Sequence, residues 1–105
     1  MASRNEKVAN QIKELAAQFL GRVDNRTSLI TVTGATVSPD LKRSTIFITV
    51  LPDNKENAAF GFVKRQRKEL REFLKNHLPI KTIPFLDVEI DMGEKNRQKI
   101  DELLR

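Results

Sequence analysis

Phe62–Lys81 reads FVKRQRKELREFLKNHLPIK. Val63, Leu70, Phe73 and Leu74, with Ala59 just before them, fall on one side of a helical wheel that Gln66 and His77 share. Lys64, Lys68, Arg71 and Lys75 step by four, three and four residues about 140° round from that side, an exposed basic ridge, with Arg67 between the two faces. On the third side Arg65 precedes Glu69 by four residues and Glu72 precedes Lys75 by three, ordinary intrahelical pairs of small individual worth. Pro79 and Pro84 stop the helix from continuing through LPIKTIP, because each lacks an amide donor and restricts the residue before it. The stretch is therefore the core of a long amphipathic helix that opens near Glu56, ends near His77 and feeds an extended segment.

Charge collects in the same place. The stretch holds seven of the nineteen Lys and Arg residues and two of the fourteen acids, a net +5 equal to that of the whole 105-residue chain. A neutral domain carrying one basic helix suits a polyanionic partner.

Working outward, Leu29–Val37 (LITVTGATV) and Ser44–Leu51 (STIFITVL) are rich in Thr, Ile and Val, which pack well on a pleated surface. Ser38-Pro39-Asp40 between them predicts an antiparallel hairpin with a somewhat long turn, and the second strand, apolar on both faces, predicts a central position. Before them, Ser3-Arg4-Asn5-Glu6 has the capping-box pattern of a helix start. Val8, Ile12, Leu15, Ala16 and Phe19 then form a core-facing stripe that Gly21 is placed to cap. After the basic helix, Leu86, Val88, Ile90 and Met92 alternate with Asp87, Glu89 and Asp91 as a half-buried strand, which Gly93 ends. Ile100, Leu103 and Leu104 allow a short terminal helix from about Glu94. The order helix, strand, strand, long helix, strand, short helix predicts an α+β domain spanning 1–105, with a three-stranded sheet and helices packed on one face.

Composition removes several classes. There are no cysteines, hence no disulfides, thiolate metal sites or thiol nucleophiles, in keeping with a reducing compartment such as the cytoplasm. No stretch approaches the roughly 18 apolar residues of a membrane span, and the charged N-terminus has no signal-peptide pattern. Six Phe with no Trp or Tyr leave little for stacking on bases, because most of those Phe sit in apolar patterns. His77, the only histidine, lies on the apolar side of a helix near its end and reads as a packed or capping residue. Asp87, Glu89 and Asp91 read as a solvated strand face before they read as a divalent-ion site. No phosphate-loop, dinucleotide or zinc motif is present, so no enzyme, cofactor or small-molecule substrate is expected. The element order suggests a KH domain, but the glycines at 21, 34, 61 and 93 include no GxxG, the loop with which KH domains clamp single strands.

The chain resembles the ribosome-binding factor A family. The resemblance rests on Lys7-Val8 with Ile12, Asp24-Asn25-Arg26, the hairpin motif Val37-Ser38-Pro39-Asp40-Leu41, Leu70-Arg71, Ile83-Pro84 with Leu86, Val88 and Asp91, and Ile100 with Leu103-Leu104. It spans nearly the whole chain. It implies a type II KH-like fold and a cytoplasmic, non-enzymatic, monomeric factor without cofactor. Such a factor binds free or immature 30S subunits through 16S ribosomal RNA and aids late maturation, including at low temperature. The family carries an Ala-x-Gly kink in place of GxxG. Aligned on Leu70-Arg71, that kink falls on Gln66-Arg67-Lys68, where neither the small residue nor the glycine is found. Two readings follow: one unbroken helix from about Glu56 to His77, or a bend held by tertiary packing with Gln66 supplying a hydrogen bond. The fold sets these helices at an angle on the sheet, which favours the bend.

The expected mechanism is electrostatic docking on RNA, with Lys and Arg neutralising phosphates while shape selects the surface. Lys64, Lys68, Arg71 and Lys75 are the first candidates, Arg65, Arg67 and Lys81 the next, and Lys42, Arg43, Arg26 and Lys7 follow. The alternatives are a KH-like domain with another RNA target, or a small interaction module whose basic helix docks on an acidic protein.

Overall fold

The computed structural model describes residues 4–23 and 27–104. Ser3 of the expected capping box, the Asp24-Asn25-Arg26 segment and the candidate contact Arg26 lie outside them. The elements are α1 (Arg4–Arg22), β1 (Leu29–Val37), β2 (Arg43–Leu51), a 3-10 turn (Asp53–Lys55), α2 (Glu56–Arg65), α3 (Arg67–His77), β3 (Phe85–Ile90) and α4 (Met92–Leu103).

Helix α1 buries Val8, Ala9, Ile12, Ala16, Phe19 and Leu20, with Leu15 partly buried beside them. Gly21 does not cap it. The helix continues to Arg22, Val23 N–H bonds Phe19 O at 3.2 Å, and no glycine has a positive φ. One helical glycine costs only about 1 kcal/mol. The added residues set the Arg22 guanidinium 5.5 Å from the Phe73 ring centre.

Strands β1 and β2 form the expected antiparallel hairpin, and β2 is the central strand of the order β1-β2-β3. Its turn is held by its own side chains. Ser38 Oγ donates to Asp40 Oδ1 (2.6 Å) and accepts from the Arg43 N–H (3.0 Å), while Asp40 Oδ1 accepts from the Lys42 N–H (3.1 Å). These bonds keep Leu41 at a φ of 61°, a left-handed conformation that costs a side-chain-bearing residue about 1–2 kcal/mol. Asn5 of α1 donates to Ser38 O (2.7 Å), so the first helix also braces this turn. The register slips between Val32 and Gly34, leaving Thr33 as a bulge.

Strand β3 runs parallel to β2, with Arg43 opposite Phe85, Ser44 opposite Leu86, Ile46 opposite Val88 and Ile48 opposite Ile90. A parallel neighbour requires a crossover, and α2 with α3 supplies it. The sheet face bearing Ser44, Ile46, Ile48, Leu86 and Val88 is buried, and Val63, Leu70, Leu74 and Ile12 join it in the most deeply buried core. Leu78, Ile83 and Pro84 are buried as well and pin the connection from α3 to β3.

The strand end differs from the alternation that placed Met92 on it. Strand β3 stops at Ile90, Asp91 Oδ1 accepts from the Glu94 N–H (3.0 Å) as a helix cap, and Met92 opens α4 with Gly93 inside its first turn. An N-cap carboxylate outweighs one more strand position. Helix α4 is tied to the start of α2 by Lys95 and Glu56 (2.6 Å), and its Gln98, Asp101 and Glu102 share a groove with Leu51 at the end of β2.

Candidate nucleic-acid interface

The long basic helix is two helices. Gln66 ends α2 and precedes α3 with φ −87° and ψ 0°, and its N–H is shared between Phe62 O (3.2 Å) and Val63 O (3.0 Å). The Gln66 side chain makes no cap, so its backbone N–H makes the hydrogen bonds there. Val63 before the break and Leu70 after it are both about 1 % exposed. Gln, Arg and Lys are good helix formers, so local preference would not end a helix here. The break therefore has no local cause, and Val63 and Leu70, seven residues apart, would share the buried side of an unbroken helix as well.

Around this break Lys64, Arg65, Arg67, Lys68 and Arg71 line one open groove of about 360 Å³, whose remaining walls are Phe85 and Leu86 at the start of β3. No acid lines it. Several of the cations are oriented by the protein. Arg67 Nε donates to Lys64 O (3.1 Å), and its guanidinium lies 3.7 Å from Asp87, a loose and half-exposed pair. Arg71 donates to Ile83 O at 3.4 Å, and the Lys64 ammonium sits 5.0 Å from the Phe60 ring centre. Arg65 folds back over Gly61, where a Cβ would stand 3.3 Å from its guanidinium. A guanidinium carries five donors, so Arg67 and Arg71 keep several for a ligand. Lys68 is exposed and makes no ion pair among the described residues.

The two intrahelical pairs read from spacing do not form. Arg65 and Glu69 belong to different helices once the chain breaks at Gln66, and Glu72 and Lys75, both exposed, stay apart. Lys75 is exposed one turn beyond Arg71, outside the groove. Arg43 extends the basic surface on the neighbouring strand, directly opposite Phe85. Lys42 and Lys81 meet in a second groove of about 480 Å³ with Arg4, Asp40, Leu41, Pro79, Ile80 and Thr82. The Asp40 carboxyl there is held below its usual range by the Ser38 hydroxyl and the Lys42 N–H. Lys7 is exposed on α1, away from both grooves.

Phe85 and Arg4 were missed by the sequence reading. The signal for Phe85 was present: it falls in the polar phase of β3 with Asp87 and Glu89, opposite to Leu86 and Val88. Arg4 has no such signal, since only the fold carries the start of α1 to the Lys42–Lys81 side.

The residues weighed for chemistry have structural work. His77 Nδ1 hydrogen-bonds Phe73 O (2.7 Å) one turn back, and its ring centre lies 4.1 Å from that of Phe73. Asp87 faces Arg67, and Asp91 caps α4, so the three strand carboxylates do not converge. Among the described residues no group of three His, Cys, Asp or Glu is placed to hold a metal ion, and no helix is long and apolar enough to cross a membrane.

A helix, a hairpin, two helices meeting at a basic break and a parallel edge strand facing that break define a KH-like domain of the type II arrangement. The model of the ribosome-binding factor A family matches residues 4–104, and the chain belongs to that family. Ribosome-binding factor A of Geobacter sulfurreducens is 33% identical over all of this chain and 92% of its own length. That of Paenarthrobacter aurescens is 34% identical over 98% of this chain and 64% of its own. The crystal structure of ribosome-binding factor A from Thermus thermophilus superposes with a TM-score of 0.75 at 19% identity, covering 84% of this chain and 97% of that one. A homology model of the Thermus factor, fitted into a cryo-electron microscopy map of a 30S complex, gives 0.69 at 18% identity over 77% and 88%.

Proposed function

We propose that this chain is a ribosome assembly factor that works as a single KH-like RNA-binding domain and docks on free or immature 30S subunits through 16S ribosomal RNA. It acts in the cytoplasm as a monomeric binding factor, without catalysis or cofactor, in late 16S RNA processing and 30S maturation, including at low temperature. The family relation and the Thermus factor fitted into a 30S complex support the partner. The observation that carries the reading is the convergence of Lys64, Arg65, Arg67, Lys68 and Arg71 on one groove at the helix break. Lys75, Arg43, Lys81 and Lys42 continue the charge around it. Each phosphate contact releases counterions, so affinity falls steeply as salt rises.

The test is co-sedimentation of the purified protein with 30S and 70S particles over a salt series. Retention on 30S and not on 70S is expected, with a log–log salt slope of about −3 to −5 if all five groove cations meet phosphates. Salt-insensitive binding, or unchanged binding by a variant with Lys64, Lys68 and Arg71 replaced by Gln, would overturn it. Equal affinity for an unrelated structured RNA would move the reading to another RNA target. Accumulation of 17S precursor RNA in a deletion strain is the expected cellular signature of a maturation role.

A further inference from the structure

The polar groove has an apolar wall that the fold does not need. Of the six Phe residues only Phe85 is exposed, at 64%. Its ring adds little to the core, yet its backbone is firmly placed. The Phe85 N–H bonds Lys42 O at 2.8 Å, its Cα pairs with Arg43 across the β2–β3 ladder, and its neighbours Pro84 and Leu86 are both buried. A large apolar side chain is thus presented to water from rigid backbone, in a groove whose other side chains, apart from Leu86, are five cations.

We propose that Phe85 is a stacking platform for one unpaired base, so that the groove takes a single-stranded or flipped-out nucleotide rather than duplex backbone alone. This deepens the RNA-docking reading and rests on it. An aromatic face binds any base by stacking, but a base inside a duplex has both faces covered by its neighbours, and only an unpaired one is free. The cations supply the rest. The flanking phosphates meet Lys64, Lys68 and Arg71, and a guanidinium of Arg65 or Arg67 can cover the outer face of the base. A volume of about 360 Å³ lies at the small-ligand end of protein pockets, which suits one nucleotide and not the width of a helix. An acidic protein segment would need a separate apolar side chain to cover Phe85, whereas every nucleotide brings a phosphate and an aromatic face together, which is why the observations favour RNA.

The chain has no Trp and no Tyr, so Phe85→Trp places a single fluorophore at the platform. The probes are a single-stranded octamer of adenosine, an abasic octamer with the same number of phosphates, and a blunt hairpin duplex. Wild-type protein and Phe85→Trp should prefer the adenosine octamer to the abasic one by about 5- to 150-fold, the range that loss of one base–aromatic stack produces. Tryptophan fluorescence should be quenched by the adenosine octamer and not by the abasic one. Phe85→Leu should lose the preference while keeping its salt slope and its melting temperature, because the ring is exposed. Equal affinity for the two octamers, absence of quenching, preference for the hairpin, or an unchanged preference in Phe85→Leu would overturn the proposal. If the octamers bind alike but with a steep salt slope, stacking fails and electrostatic docking stands. If binding shows no salt dependence, the docking reading itself fails.

Discussion

Thr33 Oγ1 donates a 2.6 Å hydrogen bond to Asp91 Oδ2, joining residues 58 positions apart, while Asp91 Oδ1 accepts from the Glu94 N–H. The bulge in β1 and the start of α4 are therefore one unit. The slip in register at Thr33 turns its hydroxyl toward the carboxylate that caps the last helix.

Thr33→Val removes the bond while keeping the shape, and should cost about 1–2 kcal/mol, since the acceptor is charged. For a domain of this size that lowers the melting temperature by about 4–8 °C per kcal/mol. The Asp91 carboxyl is held below its usual range, first by the Thr33 hydroxyl and then by the Glu94 N–H. A depressed carboxyl stabilises the fold above its unfolded pKa and stops doing so as pH falls through its folded pKa. Urea denaturation should therefore show wild type losing stability as pH drops below about 4. Thr33→Val should lose less over that window, because much of the depression has already gone. Parallel pH profiles would contradict the assignment.

Lys95 and Glu56 make the second tie on α4, at 2.6 Å, with side chains 22% and 19% exposed. Helix α4 buries no residue of its own, and its Ile100 and Leu103, with Leu104 just after it, face solvent. It is held by these polar ties and not by a core. Glu56→Gln should therefore accelerate amide hydrogen exchange along α4 while the exchange of α1 and β2 stays at the wild-type rate. Uniform acceleration throughout the chain would show that the pair supports the whole fold.

Gly21 separates two accounts of the end of α1. A left-handed cap would make Gly21→Ala destabilising, whereas a helical glycine with nothing within 4 Å of an added Cβ gains helix propensity. The structure predicts a stabilisation of about 0.5–1 kcal/mol, because the residue lies in the last turn and not mid-helix. Thermal melts of the single variant decide the sign.

What could be read from the sequence and what could not divides along local against tertiary causes. The strands at Leu29–Val37 and Ser44–Leu51, the stripe of α1 and the central place of β2 follow from side-chain period and branching, and they stand to within a residue. The break at Gln66 has no local cause. It came into view only through the family pattern, and in the structure it is a backbone departure at Gln66, with φ −87° and ψ 0°. Arg65 and Glu69 looked like partners on an unbroken wheel and are separated by that break. Met92 followed the alternation of β3 but lies past the Asp91 cap, a choice that depends on Thr33 being nearby. The basic groove was half legible. Its five cations lay within eight residues of sequence, but its apolar wall, Phe85, is fourteen residues beyond Arg71 and reaches the groove only because β3 is parallel to β2.

On the proposed RNA docking, Asp87 is the acid that opposes it, since it is ion-paired to a groove cation. Its carboxylate stands 3.7 Å from the Arg67 guanidinium, with the two side chains 48% and 38% exposed, so the pair contributes at most about 1 kcal/mol to stability. Its Oδ1 also accepts from the Val88 N–H at 2.8 Å, and Asn can keep that bond. Asp87→Asn should thus leave the melting temperature nearly unchanged while it frees Arg67 and removes a negative charge beside the site. A unit charge several ångströms from a phosphate in water amounts to about 0.5 kcal/mol, so RNA affinity should rise about two- to threefold near 0.1 M salt. If the released guanidinium takes up a phosphate of its own, the salt slope should steepen by about 0.7–0.9 as well. Lys68→Gln should do the reverse, reducing the slope by the same amount without touching stability. A tighter complex with an unchanged slope would assign Asp87 to general repulsion. A weaker complex would show that Arg67 needs Asp87 to hold it in place.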